Sequence, residues 1–182
     1  NTVDHVRLSA DGKKLIILDQ RRLPLHREYL VLSSAESMYE AIRSLAVRGA
    51  PAIGIFAGFA MYVLAQQLPA ERPAFDAAFA ETADYLNSSR PTAVNLSWAL
   101  SRMRRVVESK PDMPVAELLS CLREEAQAIL DEDIAMCRKI SEYGLSLLKD
   151  GDGVITHCNA GPIATSRYGT AQGPFYLSKE KN

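Results

Sequence analysis

From Gly49 to Ala70 the chain carries no charged side chain, and this stretch constrains the fold more than any other. A membrane span needs about 20 predominantly apolar residues. Here Gly49, Pro51, Gly54, Gly58 and Pro69 interrupt the run, Gln66-Gln67 follow it, and its apolar part stops at Ala65. The reading is a buried core helix, with Gly54 and Gly58 as a small-xxx-small pair suited to close packing in a soluble core. The chain has 182 residues, 47% of them hydrophobic, enough for one ordinary domain or for a small domain plus part of another.

The elements around that helix follow from period and punctuation. Val6-Arg7-Leu8, the turn Ala10-Asp11-Gly12 and Lys14 to Leu18 make a hairpin signal, and Tyr29 to Leu32 is a further strand. Ser33-Ser34 can cap a helix whose Met38, Ala41, Ile42 and Leu45 fall at helical spacing and which should end near Arg48-Gly49. Pro51 suits the first turn of the next helix, where its missing N–H would be unpaired anyway. Further helices are predicted over 73–86, 95–107 and 114–148, the last kinked or stopped at Gly144. Asp150-Gly151-Asp152-Gly153 is the clearest boundary, dividing residues 1–150 from 151–182. After it, Gly153-Val154-Ile155 reads as a buried strand and Ile163 onward as a helix. One parallel strand cannot form a sheet, because its backbone groups have nothing to pair with. The fold class is therefore α+β: a mostly helical N-terminal domain with a small antiparallel β element, then the truncated first strand-helix unit of an α/β domain.

The candidate chemistry lies in two corners and a loop. Arg48-Gly49-Ala50-Pro51 joins a guanidinium able to bind phosphate bidentately to the amides of Gly49, Ala50 and Ala52, where small side chains let a ligand approach. The plainer reading, favoured by spacing alone, is a corner where glycine ends one helix and proline starts another. Arg90 stands in Ser89-Arg90-Pro91-Thr92 just before a helix, either as a solvated charge or as a second anion ligand. Thr156-His157-Cys158-Asn159-Ala160-Gly161 puts a thiol, an imidazole and an amide where a strand would turn into a helix, which is where α/β enzymes keep their chemistry. Cys158 is a nucleophile or proton donor if a helix starting at Gly161-Pro162 lowers its pKa, and otherwise a structural thiol. Neighbours on an extended chain point apart, so His157 is read as structural or as support for the reacting group. Asn159, Thr165 and Ser166 either hydrogen-bond substrate hydroxyls or cap the following helix. Together these features suggest a small phosphorylated substrate.

Other classes lose support. With 21 basic and 22 acidic residues, nothing suggests a nucleic-acid surface. The three cysteines, Cys121, Cys137 and Cys158, form no Cys-x-x-Cys pair. Neither a disulfide framework nor a zinc site is indicated, and reduced thiols fit a cytoplasmic protein. Cys121 and Cys137 fall within helical periodicity as small core residues. The polar start Asn1-Thr2-Val3-Asp4-His5 shows no signal peptide, and the missing initiator methionine suggests trimming or an incomplete chain. Neither a dinucleotide fingerprint nor a P-loop occurs.

Leu18-Asp19-Gln20-Arg21-Arg22-Leu23-Pro24, Ala41 through Gly54, Ser89 through Leu96, and Thr156 through Gly161 with Gly169-Thr170-Ala171 carry a resemblance. Taken together, they make the chain resemble the N-terminal part of the methylthioribose-1-phosphate isomerases of methionine salvage, relatives of the regulatory subunits of translation initiation factor two-B. The resemblance implies a Rossmann-like C-terminal domain and a cytoplasmic homodimer. It implies substrate phosphate and sugar binding by Arg48, Gly49, Ala50 and Arg90, and catalysis by Cys158 with an aspartate beyond Asn182. This chain alone is then expected to be inactive. The substrate would be 5-methylthioribose 1-phosphate, with 5-deoxyribose 1-phosphate, ribose 1,5-bisphosphate or a non-catalytic regulatory role as alternatives. The chemistry requires neither metal nor redox cofactor, and neither nucleic acid nor membrane is a partner.

Overall fold

A three-stranded antiparallel sheet comes first: β1 (Val6–Leu8), β2 (Leu15–Leu18) and β3 (Tyr29–Leu32), in that spatial order. The computed structural model describes residues 4–181; the polar termini read from Asn1–Val3 and Asn182 lie outside the described residues. The Asp11-Gly12 turn works as expected: Ser9 Oγ donates to Asp11 at 2.6 Å, and Gly12 takes the φ of +70° that glycine tolerates. Val6 pairs with Ile17 and Leu15 with Leu32, so one buried face collects all four side chains.

Helix α1 (Ala35–Arg43) begins with the reciprocal capping bonds of Ser34 and Ser37. It ends earlier than its spacing predicts. Leu45 turns left-handed at φ +62° and stands 42% exposed, while Ala46 and Val47 bury themselves in its place. The chain is held there by the Gln20 amide, which donates to the Ala46 carbonyl at 2.9 Å, a bond a continuing helix could not offer.

Helix α2 (Ala50–Ala65) is the buried axis, with every residue from Ala52 to Ala65 inside. Around it pack α3 (Arg72–Ser88), α4 (Val94–Glu108) and α5 (Val115–Ser146), whose apolar faces join the strand face in one core. The two glycines of α2 permit the closest approaches. A Cβ on Gly54 would lie 3.2 Å from the Asn95 carbonyl of α4, and one on Gly58 would lie 3.0 Å from Ile129 Cδ1 of α5. No helix of the described residues is long and apolar enough to cross a membrane.

Helix α5 passes through Gly144 to Ser146 without the expected break. Gly144 serves approach instead, since a Cβ there would meet Pro174 Cγ at 2.6 Å. Beyond α5 two expectations fail. Gly153-Val154-Ile155 forms no strand, and Ile155 is 96% exposed, because no described strand lies alongside to pair with it. No helix begins at Ile163 either; α6 is Gly173–Lys181. The Ala164 carbonyl, which a helix would use internally, accepts from Ala52 N–H of α2 at 3.1 Å. The left-handed Arg167 (φ +37°) and Gly169 (φ +76°) then break the run.

Candidate active site at the head of the helix bundle

The two arginine corners lie at the same end of the bundle. Asn95, in the first turn of α4, packs on Gly54, in the first turns of α2, so the two helix starts lie at one end of the bundle. Arg48 precedes α2 and is exposed; Arg90 precedes α4 and is half-buried, its carbonyl closing a turn by accepting from Ala93 N–H at 3.0 Å. Among the described residues neither guanidinium forms an ion pair or hydrogen bond, unlike Arg21, Arg72, Arg102 and Arg104.

The loop that carries the thiol is tied to the first of these corners. Gly49 adopts φ +102°, and a Cβ on it would lie 2.5 Å from Ala164 Cα, so only glycine fits. Gln20, 3% exposed, donates through one Nε2 to the Arg48 carbonyl at 3.2 Å and to the Ile163 carbonyl at 3.0 Å. That amide joins strand end, arginine corner and cysteine loop in one clasp. Because Ala52 N–H is spent on Ala164, the expected anion seat of Gly49, Ala50 and Ala52 amides is reduced to those of Gly49 and Ala50.

Cys158 stands on the exposed stretch from Gly151 to Asn159, at a left-handed φ of +68° that costs a non-glycine residue roughly 1–2 kcal/mol. His157 and Asn159 are exposed beside it. The helix dipole expected to act on the thiol is absent from Gly161-Pro162, where turns replace the helix. Asn159 lines a cleft of about 600 Å³ with Tyr168, Gln172 and Tyr176. The loop closes on itself where Thr170 N–H donates to the Ala160 carbonyl at 3.2 Å, and a Cβ on Gly169 would meet that oxygen at 2.8 Å. Thr165 and Ser166 cap no described helix. Both are buried, the former bonded to Gly161 and the latter to the Asp133 carboxylate of α5.

Asp133 and Gln20 had no role in the sequence reading. Asp133, Cys137, Ser141 and Gly144 recur at helical spacing on α5, a polar and small face that was the available signal. Burial pushes the Asp133 carboxyl above its ordinary value, against the lowering effect of the Ser166 hydroxyl and the Cys137 thiol. Burial likewise pushes the Cys137 thiol up, and the neighbouring Asp133 adds to it. Cys137 is thus a core residue as expected, while Cys121 is half-buried beside Met113, its sulfur 3.9 Å from the thioether. No described cluster of His, Cys, Asp or Glu is arranged to hold a metal.

A groove of about 330 Å³ opens at the same bundle end, between Pro51 and Ile55 of α2, Asn95 and Trp98 of α4, and Asp133 and Met136 of α5. The groove is lined by residues of the first turns of α2 and α4 and of the middle of α5, and includes neither Arg48, Arg90 nor Cys158.

Residues 46–171 match the Initiation factor 2 subunit family. The chain belongs to that family. It is 50% identical over 177 residues to the 5-deoxyribose 1-phosphate isomerase of Clostridium botulinum, covering 97% of this chain and 51% of that protein. It is 48% identical over 181 residues to the enzyme of that name from Petrotoga mobilis, covering 99% of this chain and 52% of that one. Among solved structures, 5-methylthioribose 1-phosphate isomerase from Pyrococcus horikoshii OT3 superposes with a TM-score of 0.90 at 35% identity, over 97% of this chain and 49% of its own. Subunit delta of translation initiation factor eIF-2B from A. fulgidus gives 0.87 at 34%, over 97% and 51%. The chain spans about half the length of these relatives.

Proposed function

We propose that this chain supplies the phosphate-binding corners and the cysteine of an aldose–ketose isomerase acting on a pentose 1-phosphate, 5-deoxyribose 1-phosphate before 5-methylthioribose 1-phosphate. What supports the reading is that the Arg48 corner is clasped through Gln20 and Ala52 to the Ile163-Ala164 segment that follows Cys158, and that the starts of α2 and α4 pack through Gly54 and Asn95. The order of substrates follows the 50% identity to a protein named for the deoxy sugar, against 35% to one named for the methylthio sugar.

In this role Arg48, Arg90 and the amides of Gly49 and Ala50 hold the phosphate, with the α2 N-terminus adding favourable potential. The phosphate ester locks C1, so the ring cannot open to a free aldehyde. Protonation of the ring oxygen breaks its bond to C1. Hydrogen then passes from C2 to C1, either directly as hydride or by loss of a C2 proton and delivery of another to C1, and the 2-hydroxyl gives its O–H proton to a base as it becomes the ketone. Cys158 serves as one of the groups that hold or move a proton, and His157 and Asn159 flank it. The second group and the walls closing the site belong, on this proposal, to the remainder of a relative-length polypeptide.

A second reading has a specific observation behind it: the TM-score of 0.87 to an initiation-factor subunit fits a regulatory module that senses a sugar phosphate without converting it. Turnover separates the two. The product of the complete reading frame containing this chain should convert 5-deoxyribose 1-phosphate to the ketose, and Cys158→Ser should lower kcat by about 100-fold or more, the usual contribution of a positioned acid or base. Undiminished turnover in that variant removes the thiol from the mechanism, and no turnover of any pentose 1-phosphate leaves the regulatory reading.

A further inference from the structure

Resting on the isomerase reading, we propose that Asp133 of α5 is a positioning residue for the phosphate seat. Its carboxylate holds the Ser166 hydroxyl, and through the segment from Ile163 to Ser166 it fixes where the Gly49 and Ala50 amides point. The residue type argues first. Along the inner face of α5, Leu118, Leu122, Ala126, Ile129 and Cys137 are buried, and Asp133 continues that face at helical spacing. Desolvation works against an ionised carboxyl there, and among the described residues no lysine or arginine pairs with it. An apolar side chain would fill the position at less cost, so the carboxylate is explained by what it holds rather than by packing.

Its partners argue next. Asp133 accepts from the Ser166 hydroxyl, whose residue is 2% exposed, and the Cys137 thiol lies 3.7 Å away, one turn on. His5, just before the sheet, adds favourable charge. Directly after Ser166 comes Arg167, left-handed at φ +37°, a strained conformation that persists only where surrounding contacts impose it. The bond to α5 supplies such a contact at the residue before.

The connection to the seat is short. Two residues before Ser166, the Ala164 carbonyl accepts from Ala52 N–H at 3.1 Å, and a Cβ on Gly49 would lie 2.5 Å from Ala164 Cα. One residue earlier, the Ile163 carbonyl shares the Gln20 amide with the Arg48 carbonyl. With no gap between this segment and the corner, a shift of Ala164 carries the amides of Gly49 and Ala50 with it. Three elements therefore hold the segment: the strand end through Gln20, α2 through Ala52, and α5 through Asp133. The exposed stretch from Gly151 to Asn159, with the thiol, lies outside these anchors. Loss of the Asp133 bond then acts on phosphate binding rather than on the thiol.

The test measures kcat and KM of the complete reading-frame product for 5-deoxyribose 1-phosphate in Asp133→Ala, Asp133→Asn and Ser166→Ala. Asp133→Ala and Ser166→Ala should each raise KM by about tenfold, the scale of one hydrogen bond to a charged group, with kcat close to the parent's. The two changes combined should be no worse than either alone, because both remove the same bond. Asp133→Asn, whose amide oxygen still accepts from Ser166, should return KM towards the parent value. A merely structural role would lower the folded fraction, and hence the apparent kcat, without moving KM. Parental KM in both alanine variants, a loss confined to kcat, or an Asn variant as weak as the Ala one overturns the proposal and leaves the isomerase reading standing. If the parent converts no pentose 1-phosphate, both fall together.

Discussion

At the scale of single residues, Gln20 does the most to connect the site. It lies between the β2 strand and the arginine corner, and its side chain satisfies the Arg48 and Ile163 carbonyls from a position 3% exposed. Gln20→Ala should lower stability by roughly 1–3 kcal/mol, the cost of leaving buried acceptors unpaired, and should weaken phosphate binding in proportion as the clasp loosens. Denaturant titration of the variant checks the first and substrate KM the second; an unchanged midpoint would mean water replaces the amide at no cost. The residues of the corners were legible in the string because glycine, proline and arginine at a helix boundary carry their own physics. Gln20 was not, because a glutamine in a strand-end motif has no local reason to be buried. Its reason lies in carbonyls far along the chain. Thr165 and Ser166 show the same limit in reverse: their hydroxyls invited a substrate role, and long-range packing turned both inward.

Helix α5 is the element that seats the segment following Cys158. Along one face, Asp133 receives Ser166, Ser141 lies against Gly173, and Gly144 admits Pro174, so the segment from Ser166 to Pro174 docks along this face. This arrangement has a pH consequence at Asp133. Its folded pKa is raised above the ordinary value of 3.8 by burial. The folded state therefore binds that proton more tightly than the unfolded one, and the contribution is fully present below about pH 3.8 and lost as pH rises through the folded value. Asp133→Asn keeps an acceptor for Ser166 and removes the charge, so its stability should exceed that of the parent at neutral pH and the difference should close in acid. Thermal melts across pH would show this; an Asn variant less stable at neutral pH would mean the ionised carboxylate is worth more to Ser166 than its burial costs. Helix spans were legible because their faces repeat at helical period over many residues. The strand at Gly153 and the helix at Ile163 were not, since a strand exists only with a neighbour, and Ala164 gave its carbonyl to α2 rather than to its own turn.

At the scale of the whole molecule, a wholly apolar helix forces the other elements around it, and its glycines let α4 and α5 approach α2, Gly54 at Asn95 and Gly58 at Ile129. The uncharged run from Gly49 announced the first of these facts. The approach of α4 needed the structure, because the contact of Gly54 with Asn95 follows from how α4 crosses α2 rather than from either segment alone. The central claim is that Arg48 and Arg90 serve one phosphate. It is tested most directly by a double-mutant cycle on 5-deoxyribose 1-phosphate binding, measured by calorimetry on the complete reading-frame product in the Cys158→Ser background expected to slow turnover. Arg48→Ala and Arg90→Ala should each cost on the order of 2 kcal/mol, and together should depart from additivity by about 0.5 kcal/mol or more, as groups sharing a ligand do. Strictly additive losses, or parental affinity in either single variant, would contradict it.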